Sequence, residues 1–192
     1  VDDVIDVIQD EATEDIEKMA AMLPSEKPYL RASALTIFFQ RIPWLLILMI
    51  SATFTGIIIT NFESALAAQV ALVGFIPMLM DTGGNSGSQA SVTIIRGLSL
   101  KEIAFRDLPR VLWKEIRVAV LCGLSLAAAC FLKILLIDRL LMGNESITVM
   151  VALTVCLTLV ITVLCAKCVG CTLPMLAQKL KLDPAVMASP II

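Results

Sequence analysis

The sequence predicts an all-α, polytopic helical membrane protein, and three observations carry that expectation. Hydrophobic residues make up 58% of the 192 positions and the mean hydropathy is +0.91, well above the roughly 45–50% apolar usage of soluble domains. Uncharged runs of bilayer-spanning length recur along the chain. The acids are segregated, with Asp2, Asp3, Asp6, Asp10, Glu11, Glu14, Asp15 and Glu17 all preceding Lys18. A soluble head followed by a membrane body accounts for all three.

The head, residues 1–22, reads "VDDVIDVIQDEATEDIEKMAAM". Val4, Ile8, Ala12, Ile16 and Met19 fall at spacings of three and four, which predicts an amphipathic cytoplasmic helix. Its acids form either a solvated face or a cation-sensitive element in which bound cations relieve like-charge repulsion. Pro24 and Pro28 bracket a turn, and residues 23–41 predict an interfacial linker helix, with "RASALTIFFQRIP" leading into span one. The membrane domain proper is expected over 42–192.

Four full spans and the start of a fifth are expected there. Residues 42–62 form an uncharged run as long as the roughly 20 residues a helix needs to cross a hydrocarbon core. The second run, 64–80, is short before Asp81 and must gain depth through the glycine-rich segment that follows. A third extends from Arg117 to about residue 137, with Lys133 near its far end, where a long stem snorkels to the headgroups. The fourth covers 146–166. Asp183 before Pro184 is a helix start, an N-cap preceding a first-turn proline, and the chain stops at Ile192, inside the expected fifth span. With no Met at its beginning, the sequence is expected to be a piece of a longer protein.

Basic residues set the orientation, because cytoplasmic loops hold the excess of Lys and Arg. Lys18, Lys27, Arg31 and Arg41 precede span one; Arg96, Lys101, Arg106, Arg110, Lys114 and Arg117 lie between spans two and three; Lys179 and Lys181 follow span four. These groups share one side if the N-terminus is cytoplasmic. A sequence pI of about 5.2 gives no support to nucleic-acid binding, so membrane lipid is the expected surrounding.

"PMLMDTGGNSGSQ" is the segment that most needs explaining. Unsatisfied backbone at membrane depth is tolerated only against protein or around a water-filled cavity, and Gly83, Gly84 and Gly87 permit close approach and local unwinding. Interrupted helices present carbonyls and helix ends to ions. Asp81 is an acid removed from either interface, and such acids face an interior or a cavity. Asn85 follows four residues on, and both lie on one face if the segment stays helical; Thr82, Ser86, Ser88, Gln89, Ser91 and Thr93 extend the polar character. Oxygen ligands of this kind suit a hard cation, and Mg²⁺, which sheds water reluctantly, would be gripped in hydrated form. The alternative reading is a small-residue contact between helices.

Other motifs carry less. "CAKCVGC" places Cys165, Cys168 and Cys171 three apart, either packing in a span or a thiolate metal site lacking a fourth ligand. Lys167 among them either snorkels or, if buried, requires a carboxylate partner. With no His in the chain and no base near its serines, no catalytic constellation forms, and an enzyme is not expected.

"PMLMDTGGNSGSQASVTIIRGL", "VDDVIDVIQDEATEDIEKMA" and "LDPAVMASPII" together resemble the MgtE family of bacterial magnesium channels. The resemblance implies cytoplasmic N and paired CBS domains ahead of residue 1, a connecting plug helix over 1–22, and five transmembrane helices. It further implies a homodimer in the cytoplasmic membrane, with the pore on the two-fold axis between second and fifth helices. Gly83, Gly84, Asn85 and Gln89 match the second-helix motif, and Ser189 and Pro190 the start of the fifth. Ser189 stands where some members have Asn, and the family's pore aspartate would fall beyond Ile192. Passive Mg²⁺ flow is then the expected activity. Intracellular Mg²⁺ would close the pore by binding between acidic cytoplasmic surfaces, with Asp10, Glu11, Glu14 and Asp15 as sensing residues. Two other functions are an ion-coupled secondary transporter, with Asp81 carrying a proton or Na⁺, and a non-conducting assembly or regulatory fragment.

Overall fold

The computed structural model describes residues 2–24, 29–143 and 146–187. Among these all regular structure is helical: α1 (Asp2–Met19), α2 (Ala34–Asn61), α3 (Glu63–Ala68), α4 (Ile76–Ser99), α5 (Leu108–Lys133) and α6 (Val149–Lys179), with short 3₁₀ turns between some of them. Three stretches are long and apolar enough to cross a membrane, Ala34–Asn61, Phe105–Leu141 and Val149–Lys179. A fourth long helix, α4, has the length but not the hydropathy.

The chain enters α2 at Ser33, whose hydroxyl accepts a hydrogen bond from the Thr36 amide at 3.2 Å, and the helix runs unbroken through Pro43 to Asn61. The boundary expected at residue 41 between linker helix and first span is therefore absent. Proline inside a membrane helix is accommodated by local adjustment of the freed carbonyl, and apolar residues on both sides favour one element. None of its residues is buried.

The second apolar run is divided. Residues Glu63–Ala68 form α3, Gln69 leaves helical geometry at φ −143° and ψ 73°, and a 3₁₀ turn over Val70–Phe75 leads into α4, which carries a proline in its first turn. α5 starts at Leu108, well before the point expected, with Pro109 in its first turn, and continues as a π-helix over Ile134–Leu141. Lys133 turns back to Asp138, bonding its carboxylate at 2.7 and 3.0 Å, with the Phe75 ring 5.6 Å away.

The core is organised around α6, which packs along both α4 and α5. Its inward face is small and apolar, with Ala152, Val155, Leu159 and Val163 at 3% exposure or less. Close approach requires absent side chains at two levels. A Cβ on Gly170 would collide with the backbone of Gly87 on α4, and one on Gly123 of α5 would come within 3.3 Å of the Val160 Cα. Helices pack this way in bilayers, where lipid offers no hydrophobic drive and van der Waals contact decides. Farther along, Cys171 and Met175 pack with Ile94 and Leu98 of α4.

At its far end the chain turns through a 3₁₀ segment, Pro184–Met187, against α1. The Asp183 carboxylate accepts from the Ala185 amide at 2.9 Å, the capping role read from its sequence. Ser189 and Pro190 lie outside the described residues.

Candidate functional site

α4 has two unlike faces. Gly83, Ser86, Gly87, Ala90 and Ser91 are buried toward the rest of the chain, whereas Asp81, Asn85 and Gln89 are exposed along the opposite side. Four-residue spacing places these three one above another. Their oxygens are thus aligned by helical geometry alone, a carboxylate followed by two amides over roughly 12 Å of helix rise.

The unwinding expected at Gly83, Gly84 and Gly87 is not found. All three lie within an unbroken α-helix, and the interruption falls upstream at Gln69–Phe75. Packing supplies the reason for two of the glycines. A side chain at Gly83 would sit 2.7 Å from the Thr162 methyl, and Gly87 supports the contact with Gly170. Glycine inside a helix costs about 1 kcal/mol relative to alanine, which such contact offsets. Gly84 differs, since nothing lies within 4 Å of the position its Cβ would take. Asp81, Gly84, Asn85 and Gln89 therefore share open surroundings, and Gly83 stands apart from them. What α4 exposes on this side is side-chain oxygen, not freed backbone carbonyl.

Between α4 and α5 lies a cavity of about 550 Å³, floored by α6. Asn85, Gln89, Thr82 and Ser86 line it from α4, Ser125 from α5 and Lys167 from α6. Lys167 does not snorkel. It is 5% exposed, about 18 Å along α6 from that helix's C-terminal end, and its ammonium stands 3.8 Å from Glu115 Oε2 of α5. Expecting α5 to begin near Arg117 left Glu115 in a loop; the first-turn proline after Asp107 was the signal that would have drawn it into the helix.

The acidic head divides in two. Lys18 reaches both Glu14 and Asp183 at 2.6 Å, and Asp15 lies close enough to feel the Asp183 charge, whereas Asp10 and Glu11 are exposed. Burial works to raise the pKa of Asp183, but the Lys18 ammonium and the Ala185 amide together hold it below the usual 3.8. Burial first, and then Asp183, push Asp15 above that value. The pairing with both carboxylates raises Lys18. Asp183's partnership with Lys18, 165 residues away in sequence, had no local signal.

Among the described residues, no group of three or more His, Cys, Asp or Glu is arranged to hold a metal. Cys165 is exposed and Cys171 fully buried, donating to the Cys168 carbonyl at 3.3 Å.

Three helical stretches of spanning length and hydropathy, with α4 and α5 packed along α6, define a multi-pass helical membrane protein. Residues 76–192 match the family model MgtE, described as a divalent cation transporter. The chain belongs to that family. Along its whole length it is 37% identical to a protein of Thermus thermophilus, 36% to one of Bacillus subtilis and 31% to one of Enterococcus faecalis, each called "Magnesium transporter MgtE". It spans about two fifths of the length of each, 40–41%.

Proposed function

We propose that this chain is the pore-forming part of a Mg²⁺ channel that conducts passively across the bacterial cytoplasmic membrane, with two copies meeting at a two-fold axis. The observation that carries the reading is the exposed column of Asp81, Asn85 and Gln89 on a helix whose other face is packed. In a bilayer such a column must meet water or protein, and facing its own symmetry mate provides both. The names of the relatives supply the ion.

The proposed chemistry follows from the ligand set. Mg²⁺ keeps most of its water and prefers oxygen. Amide oxygens of Asn85 and Gln89 accept hydrogen bonds from that hydration shell, and the absence of a side chain at Gly84 leaves room for it. Asp81 adds negative charge on the same face without stripping the ion. Ser189, from the segment beyond the described residues, would complete the lining with the fifth helix. Neutral amides and one carboxylate hold a divalent ion loosely enough to release it, which conduction requires.

Gating is assigned to α1 as the plug helix, with the N-terminus cytoplasmic. Regulatory Mg²⁺ acts on its acids Asp10, Glu11, Glu14 and Asp15, in concert with the N and CBS domains expected upstream in the full-length protein. The Lys18 bridge to Asp183 is the mechanical link, because it joins α1 to the segment that leads toward the fifth helix.

The test is Mg²⁺ flux through the full-length protein in liposomes lacking any Na⁺ or proton gradient. Parent protein should conduct, and Asn85→Ala should lower the flux about ten- to a hundredfold, the scale of a hydrogen bond lost from a charged group, with dimerisation intact. Flux that vanishes without a coupling gradient would identify a secondary transporter. Unchanged flux in Asn85→Ala would remove that residue from the path.

A further inference from the structure

The buried ion pair between α5 and α6 is not used by the mechanism above, and its geometry is unusual. Lys167 is 5% exposed and Glu115 Oε2 is buried with no hydrogen-bond partner, the two atoms 3.8 Å apart. A carboxylate oxygen left unbonded and an ammonium held at that distance are poor terms for stability, since desolvation of a buried pair is repaid only by close, fully bonded geometry. Intramembrane charges retained at such cost are candidates for function. The two ends also face different surroundings. Lys167 shares the 550 Å³ cavity with Asn85 and Gln89 and is the one charged residue among its lining, whereas Glu115 lines a second cavity of mixed charge together with Glu102, Asp107, Arg106, Arg110 and Lys114.

We propose that Lys167 and Glu115 form an oriented dipole that positions the transported divalent cation: the ammonium end keeps the cation from settling inside the groove between α4 and α5, so that Asn85 and Gln89, which line the groove and also belong to the exposed column with Asp81, meet it from the outward side, while Glu115 cancels enough of that charge for the column to remain permissive. The proposal rests on the reading of Asp81, Asn85 and Gln89 as the ion path. A polar groove of this size, lined by two amides, two hydroxyl groups from α4 and one from α5, would otherwise be a second resting place for a hydrated cation. A fixed positive charge at its floor removes that trap.

The experiment compares four variants of the full-length protein in liposomes, reading Mg²⁺ dependence of flux and melting temperature together. Glu115→Gln leaves the ammonium uncompensated and should weaken apparent Mg²⁺ affinity about tenfold. The charge swap Glu115→Lys with Lys167→Glu keeps the pair but turns its negative end into the groove, so flux should saturate at about tenfold lower Mg²⁺ and reach a lower maximum. The neutral double variant Glu115→Gln with Lys167→Met reopens the groove as a resting place, so its maximal flux should fall about threefold or more below the parent's while half-saturation stays within about threefold, and Lys167→Arg should match the parent. A purely structural pair predicts otherwise: the swap matches the parent, and any loss in Glu115→Gln follows its melting temperature. That outcome overturns the proposal, as does an unchanged Mg²⁺ dependence in the swap. Asn85→Ala, run beside them, separates the two failures, because a silent Asn85→Ala refutes the ion path itself. Should Glu115→Gln fail to fold, the swap alone decides.

Discussion

α2 and α4 are similar in length, 28 and 24 residues, and opposite in design. α2 is apolar on all sides and buries nothing; α4 is interrupted by polar and small residues and buries nine of its positions. In water this pairing of hydropathy with exposure would be inverted. In a bilayer it is expected, because lipid is as apolar as the side chains of α2 and helix association depends on close contact between small residues. The difference teaches that unbroken hydropathy marks a helix with no protein packed on it, while Gly83, Ser86, Gly87 and Ser91 mark the face of α4 that packs.

Breaking the packed face of α4 should have the largest effect. Gly170→Leu places a side chain where the Gly87 backbone lies, and overpacking of this kind is expected to cost about 3 kcal/mol or more. Thermal unfolding in detergent should show it as failure to fold or a steep fall in melting temperature. Ile57→Leu on α2, 52% exposed, should stay within about 0.5 kcal/mol, and a comparable loss at both positions would erase the distinction between the helices.

Next in size is the cytoplasmic junction. Asp183, held below 3.8, contributes stability that is present above that pH and fades as pH falls through its lowered value. Lys18, raised above 10.5, contributes below 10.5 and loses its contribution only as pH rises beyond it. Asp15 acts in the opposite sense, since a raised carboxylate is disfavoured once ionised. Amide protection factors in residues 16–23, which remove the intrinsic pH dependence of exchange, should therefore be highest near neutral pH and fall toward pH 3. Lys18→Met should lower them roughly two- to fivefold at neutral pH, the range of a partly exposed ion pair. No change in exchange would mean that α1 is held by other contacts.

The smallest effect is expected at Gly84. Gly84→Ala meets open space and gains helix propensity, so stability should rise by up to about 1 kcal/mol, while a hydrated ion would lose room and flux should fall. A variant that melts higher and conducts less would separate the open side of α4 from its packed side within one residue of Gly83.

Much of this architecture was legible because membrane helices announce themselves by length and hydropathy. Two of the three strongly apolar stretches begin earlier than expected for the same reason: charged or interfacial residues such as Arg41 and Glu115 can belong to a helix that extends past the lipid boundary, and hydropathy stops at that boundary. The shared face of Asp81 and Asn85 was legible from their spacing, whereas Gln89 joins them because α4 stays helical throughout. The unwinding was not a sound inference, because glycine permits irregular backbone and close packing equally, and only the position of Gly170 on α6 decides between them. Lys167 was ambiguous for a similar reason. Whether it snorkels depends on a carboxylate 52 positions earlier, and no local pattern reveals that pairing.

Spin-label accessibility at residue 85 compared with residue 57 tests the central contrast most directly. In full-length protein with its cysteines replaced, labels introduced at Asn85 and at Ile57 would be exposed in turn to a water-soluble paramagnet and to oxygen, which concentrates in lipid. Residue 85 should relax with the water-soluble agent and residue 57 with oxygen. Oxygen-dominated relaxation at residue 85 would place the amide column against lipid and contradict the account.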